Sequence, residues 1–183
     1  MLESGCTRQV HGGRVQLRRW QPDDLEPLLL HADDAAVSRG LSTRFPCPYT
    51  RADGQAFLAG KVVRLDGPVF ALVIDGQAVG GIGVDLGASE RRYSGALGYW
   101  LGQRYWGQGI MTGVVADFAP WAMQALGLNR LAAQVMANNP ASARVLLKCG
   151  FTEEGTQRQA VFKDGQLQDM RCFARLGDLP PTA

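Results

Sequence analysis

Val15-Gln16-Leu17-Arg18-Arg19-Trp20 alternates apolar and polar positions, the pattern of a strand with one buried face. Pro22, Asp23 and Asp24 then supply helix-start chemistry for a segment running to about Ala32, and Ala35 to Ser38 suits a short second helix. Arg44-Phe45-Pro46-Cys47-Pro48-Tyr49 must be a loop, because its two prolines forbid a regular helix. Thr50 can cap a helix from about Arg51 to Leu65.

Two hairpins are legible. Val69 to Ile74 and Gln77 to Val84 flank Asp75-Gly76, and Ala160 to Lys163 and Gln166 to Ala174 flank Asp164-Gly165. An Asp-Gly pair between strand-like runs suits a two-residue turn whose central positions both need positive φ. Tyr93 to Leu101 reads as the next strand. In the helix that follows, Gly109 to Leu126, Ile110, Val114, Phe118, Trp121 and Ala125 recur at helical spacing. Pro120 falls inside it and should kink it or shorten its second half. Leu131 to Met136 predicts a strand buried on both faces.

Asn139 before Pro140 is a helix cap followed by proline at the first helical position. Ala141 to Lys148 then read as helix, and Gly150-Phe151 as its left-handed stop with a hydrophobic anchor. The order is β-α-α-β-β-β-α-β-α-β-β, without internal repeat or linker. That is α/β in one domain, with hairpins making part of the sheet antiparallel. Residues 1–13 carry no periodicity and predict a poorly ordered lead-in, and 178–183 a tail.

Composition narrows the function classes. A chain of 183 residues carries one domain comfortably, and a net charge of +2 argues for neither nucleic acid nor a membrane surface. No apolar run reaches the roughly 18 residues of a membrane span, and the polar N-terminus does not resemble a secretory signal. Cys6, Cys47, Cys149 and Cys172 are scattered, with no histidine in ligand spacing. Reduced thiols in a cytoplasmic protein are the expectation, with no metal.

The densest chemistry lies in Gln103-Arg104-Tyr105-Trp106-Gly107-Gln108-Gly109-Ile110-Met111-Thr112, between a strand and a long helix. Two glycines at the mouth of a helix let backbone N–H groups approach an anion, and the dipole adds positive potential. Arg104 supplies a permanent cation. The segment reads as a pyrophosphate-binding turn, against the plainer reading of a tight strand-to-helix connection. It lacks the Lys-Ser/Thr of a nucleotide P-loop, since Ile110-Met111 follows Gly109, and it lacks the three glycines of a Rossmann fingerprint. What it matches is R-x-x-G-x-G.

About 30 residues on, Asn139-Pro140-Ala141-Ser142-Ala143-Arg144-Val145-Leu146 leads to Lys148-Cys149-Gly150-Phe151 and Glu154-Gly155. The two segments in this order resemble the GNAT superfamily of acyl-CoA-dependent N-acyltransferases. More narrowly they resemble its RimJ/RimL branch, whose members acetylate ribosomal protein N-termini and small amines. Gly98-Tyr99-Trp100, the N-x-x-S of Asn139 to Ser142, and the Asp164-Gly165 hairpin with Asp169 belong to the same likeness. It covers about Val15 to Leu176, so residues 14–177 would form the acyltransferase domain.

The resemblance implies a central, mixed, mostly antiparallel sheet flanked by helices, with a V-shaped splay between two central strands after Tyr99-Trp100-Leu101. Pantetheine of acetyl-CoA would lie in the splay, and its pyrophosphate on the N–H groups from Arg104 through Trp106, Gly107, Gln108, Gly109, Ile110, Met111 and Thr112. An amine, on a protein N-terminus or a small molecule, would attack the thioester directly in a ternary complex, without metal or acyl-enzyme. Ser142 would protonate the departing thiolate, and Asn139 would hold pantetheine or order the strand gap. The tyrosine that many relatives use for that proton falls at Leu146, which cannot donate.

The general base does not transfer, because Val161 stands where RimL-type relatives carry a glutamate. Asp169, Glu90, Asp85 and a water held by backbone carbonyls all remain open. Leu147 likewise replaces a usual glutamate. The missing base motivates an alternative, a CoA-binding sensor or interaction domain without catalysis. Homodimers are common among such relatives, although no stripe in this sequence demonstrates one. His11 and His31 have no constellation around them.

Overall fold

The computed structural model describes residues 7–177, so the outer part of the expected lead-in and the tail lie outside the described residues. Eight strands follow the order β1-β2-β3-β4-β5-β6-β8-β7 in one mixed sheet. They are β1 (Arg8–Val10), β2 (Val15–Arg18), β3 (Val69–Ile74), β4 (Gln77–Leu86), β5 (Ser94–Leu101), β6 (Arg130–Met136), β7 (Thr152–Lys163) and β8 (Gln166–Leu176). The helices are α1 (Leu25–Ala32), α2 (Ala35–Arg39), α3 (Arg51–Leu58), α4 (Ile110–Ala125) and α5 (Pro140–Lys148). The α/β expectation holds. The chain packs as two compact units, the described residues up to Gly83 with Tyr99–Gly113, and Val84–Gly98 with the described residues from Val114 onward.

In the first unit β1, β2, β3 and the start of β4 form an antiparallel meander. The turn between β3 and β4 has Asp75 at φ +50° and Gly76 at +78°, as the Asp-Gly pair predicts. Leu28, Ala32 and Tyr49 are buried with Trp20, Leu29, Phe45, Phe57, Leu58 and Trp100 packed against them. A charged clamp closes the connection from β2 to α1. Arg18 donates twice to the Asp24 carboxylate, each at 2.7 Å, and the Gln21 amide donates to the same group at 2.8 Å.

In the second unit the β5–β6 ladder is parallel and short. It joins Ser94 to Arg130, Gly95 to Leu131 and Ala96 to Ala132, then ends although both strands continue. From there β6 keeps only β8 as an antiparallel partner, through Met136 opposite Met170. The resemblance places a splay after Tyr99-Trp100-Leu101; the β5–β6 ladder ends earlier, at Ala96 and Ala132. Phe118, Leu128, Leu131, Leu146 and Phe173 are fully buried in this unit.

Several sequence expectations need correction. Arg8–Val10 is a strand within the stretch expected to lack order, paired to Val15–Leu17. Helix α3 stops at Leu58, seven residues short of expectation, where Gly60 takes φ +72° and turns the chain. Helix α4 runs through Pro120 to Ala125, so of the two expected effects, a kink or a shortening, the shortening does not occur. Strand β6 alternates buried Leu131, Ala133 and Val135 with exposed or half-buried Ala132 and Gln134, so it is not covered on both faces. Strand β7 begins at Thr152 rather than Ala160, because its first nine residues are exposed and their polar sequence carries no strand signal.

Candidate functional site

The phosphate-turn candidate lies in the first unit and is built by steric necessity. In β4, Gly80 and Gly81 carry no side chain because β5 passes too near. A β-carbon at Gly81 would stand 2.9 Å from Trp100 Nε1, and one at Gly80 would run into the Trp100 carbonyl oxygen. Strand β5 ends at buried Leu101, and one turn of 3-10 helix (Gln103–Tyr105) follows. Trp106 then extends, its indole N–H donating to the Leu101 carbonyl at 2.7 Å. The Gln108 amide side chain donates to the Arg104 carbonyl at 3.0 Å, which closes the loop on itself.

Gly107 and Gly109 both take φ +73°, a conformation costly to any residue with a β-carbon. Nothing lies within 4 Å of where a β-carbon would be at either position. The glycines are therefore required by backbone conformation, and the space beside them is open. Ile110 and Met111 follow with buried side chains, so only their main chain can meet a ligand. The Ile110 and Met111 amides open the helix, where no carbonyl of α4 lies four residues back. An open, left-handed approach to such a turn, on a helix of 16 residues, suits an anion.

Arg104 stacks its guanidinium on the Tyr105 ring at 5.9 Å. The neighbouring imidazole is one the sequence left unassigned. His31 is buried, packs edge-on to Tyr105 with ring centroids 5.6 Å apart, and its Nε2 has no hydrogen-bond partner among the described residues. Burial first, and the Arg104 charge second, push its pKa below the usual histidine range. Neutral His31 keeps a second cation away from Arg104. A pocket of about 410 Å³ is lined by Leu30, His31, Asp34, Gln103 and Arg104. The spacing Leu28, His31, Ala32 was the available signal, since it puts His31 on the buried face of α1. His11 also went unassigned. Its imidazole lies where a β-carbon at Gly113 would be, so that glycine admits the β1–β2 turn to the first turn of α4.

Tyr99 and Trp100 are half-buried at the end of β5. The Phe45 ring meets Trp100 edge-on at 5.3 Å and Tyr49 at 5.0 Å. The loop carrying Phe45 is pinned at both ends, by the Ser38 hydroxyl donating to the Phe45 carbonyl at 3.2 Å and the Tyr49 amide donating to Asp33 at 2.9 Å. Burial, with Asp53 nearby, raises the Tyr49 phenol to about 12, so it stays protonated through neutral pH.

The second unit holds Asn139 and Ser142. Asn139 caps α5, its Oδ1 accepting from the Ser142 amide at 3.1 Å, with Pro140 at the first helical position. The cap uses the Ser142 main chain, and the half-buried Ser142 side chain sits in the first helical turn, where the dipole favours an anion. Among the base candidates, Asp85 and Glu90 are exposed. Asp169 is engaged, its Oδ1 accepting from the Gln159 amide at 2.8 Å. Val161 is half-buried in β7 opposite Gln168. No group of three or more His, Cys, Asp or Glu suited to a metal occurs among the described residues. No helix there is long and apolar enough to cross a membrane.

A family model described as acetyltransferase (GNAT) domain matches residues 14–152. YoaA of Bacillus subtilis (strain 168), described as an uncharacterized N-acetyltransferase, is 33% identical over 98 residues, 54% of this chain and 55% of that protein. The ribosomal-protein-serine acetyltransferase of Escherichia coli (strain K12) is 33% identical over 82 residues, 45% of this chain and 46% of its own length. The chain thus spans about half the length of these curated relatives. The solved structure of RimL, a ribosomal L7/L12 alpha-N-protein acetyltransferase in complex with coenzyme A, superposes with a TM-score of 0.75. It is 20% identical, and the likeness covers 90% of this chain and 95% of that one, which shows a shared fold.

Proposed function

We propose, from the fact that this chain belongs to the GNAT acetyltransferase family, that it moves an acetyl group from acetyl-CoA directly to a primary amine. The observation that carries the proposal is the pair of left-handed glycines, Gly107 and Gly109, opening onto the first turn of α4. That turn receives the pyrophosphate on main-chain amides from Arg104 through Trp106, Gln108 and Thr112, with the Arg104 cation beside them. Tyr99, Trp100 and Leu101 on β5 supply backbone for pantetheine, and Asn139 serves the same ligand or orders the gap.

In the proposed reaction the amine nitrogen attacks the thioester carbonyl. The new C–N bond forms, the C–S bond breaks, and the amine proton leaves to a base or to water. Ser142 gives its hydroxyl proton to the departing thiolate, which the N-terminal end of α5 favours electrostatically, and is reprotonated from the base or water that took the amine proton. Two relatives named for ribosomal proteins support a protein N-terminus as acceptor, and a small amine fits the same chemistry. A cytoplasmic site of action and a homodimer belong to the same proposal.

A thiol-release assay with acetyl-CoA against ribosomal N-terminal peptides, polyamines and aminoglycosides tests it. The expected result is saturable CoA release with at least one amine. Tight acetyl-CoA binding with no release for any amine would replace the enzyme by a CoA sensor. No acetyl-CoA binding at all would remove both.

A further inference from the structure

In β7, Gln157 pairs with Met170 and Val161 with Gln168, so Arg158, Gln159 and Ala160 together oppose the single residue Asp169. A bulge of that size leaves the ladder and bends its strand. Gln159, at its centre, takes φ +52°, which a residue with a β-carbon adopts only when held there. The holding group is Asp169, whose Oδ1 accepts from the Gln159 amide at 2.8 Å.

The same residue reaches a second segment. Its main-chain carbonyl accepts from the Ala137 amide at 2.9 Å, and next to it Gln168 Oε1 accepts from Asn138 Nδ2 at 2.9 Å. Ala137 and Asn138 lead directly into Asn139, the cap that orients the first turn of α5 and Ser142. One residue therefore ties the left-handed bulge to the loop that carries the proposed acid. Arg158, Gln159, Ala137 and Asn138 are all exposed around this tie.

We infer that Asp169 is a positioning residue for the acceptor side of the transfer, its side chain locking the Arg158–Ala160 bulge beside the Ala137–Asn139 loop that its main-chain carbonyl receives. This rests on the acetyl-transfer reading. Held this way, Asp169 acts through the Gln159 main chain rather than on the amine itself. The function needs an acceptor oxygen at this position, which asparagine also supplies.

The test uses the full chain with Asp169→Asn, Asp169→Ala and the double variant Asp169→Ala with Gln159→Gly. Asparagine keeps the oxygen that accepts from Gln159, so Asp169→Asn should hold the amine KM, kcat and pH profile within about twofold of wild type. Asp169→Ala should raise the amine KM about tenfold or more while acetyl-CoA affinity stays unchanged, which a mere loss of folded protein would not do. Glycine at 159 adopts positive φ without a clamp, so the double variant should recover most of that loss. Amide hydrogen exchange at Gln159 should quicken in Asp169→Ala, where residue 169 has no side-chain oxygen, while Ala137, bonded to the main-chain carbonyl, keeps its protection. Asp169→Asn as impaired as Asp169→Ala, or unchanged exchange at Gln159 in Asp169→Ala, overturns the inference. Exchange needs no turnover, so a wild type that acetylates nothing sinks the reaction reading and leaves the clamp still decided.

Discussion

Gly102 lies against His31 so closely that a β-carbon there would stand 2.8 Å from Nδ1 and 3.0 Å from Cγ. The φ of Gly102 is an ordinary −55°, so the glycine is required by that approach and not by its backbone. Helix α1 is thereby seated on the residue that begins the turn toward Arg104. Gly102→Ala should lower unfolding free energy by about 1–3 kcal/mol, the range for overpacking a tight site. It should also weaken acetyl-CoA binding several-fold. Denaturant unfolding and calorimetric titration read the two effects, and an unchanged midpoint would show that α1 gives way without cost.

The same histidine sets a pH dependence. Its folded pKa lies below the ordinary value of 6.5, with burial the larger cause and Arg104 the smaller. On acidification the unfolded chain takes up this proton first, so stability is full above about pH 6.5 and is lost as pH falls toward the folded pKa. Unfolding curves between pH 7.5 and 5 should show that slope in wild type and a shallower one in His31→Leu. Equal slopes would assign the acid sensitivity to other groups.

Ser142→Ala separates catalysis from architecture. The cap on α5 uses the Ser142 amide, which alanine retains. Acetyl-CoA affinity should therefore stay nearly constant, while kcat falls about 10²-fold, the lower end for losing a general acid. A wild-type kcat would remove Ser142 from the mechanism. Asn139→Ala should cost about 1 kcal/mol of stability through the lost cap.

Replacing Gly107 by valine asks a β-branched residue to hold φ +73° and fills the open side of the turn. We expect a loss of about 1–2 kcal/mol in stability from the backbone conformation. Acetyl-CoA affinity should drop more than tenfold. Tight binding by the variant would place the pyrophosphate elsewhere.

Asp24→Ala tests the clamp between β2 and α1. The side chains of Arg18 and Asp24 are only 15% and 5% exposed, so removing the carboxylate strands a largely buried guanidinium. The expected cost is about 3–5 kcal/mol, measured by denaturant unfolding. A loss under about 1 kcal/mol would mean that water reaches Arg18 as soon as Asp24 is gone.

What the sequence disclosed follows from which interactions are local. The turns at Asp75-Gly76 and Asp164-Gly165, the Asn139-Pro140 cap and the glycines 107 and 109 are fixed by the conformational limits of their own residues, and each has the expected geometry. The β3–β4 hairpin and α4 were legible because their apolar spacing faces a core. Strand β7 was not, because Thr152–Ala160 is exposed throughout and owes its conformation to pairing with β8. Nor was the role of His31, which depends on Gly102 and Tyr105 some seventy residues away. Asp169 was visible as part of the family likeness and as a candidate base, but its bond to Gln159 requires a register shift that no spacing rule anticipates.

Strand β7, twelve residues long, also closes one side of the sheet, so the main-chain groups that point away from β8 form an outer rim for any passing extended segment. Flat, continuous rims of that length are templates for runaway self-association. Here Glu153 and Glu154 carry charge along it, held by Arg171 and Arg130, and the displaced Arg158–Ala160 breaks its straightness midway. The irregularity that organises one side of the proposed chemistry thus also protects the folded protein from polymerising along its own margin.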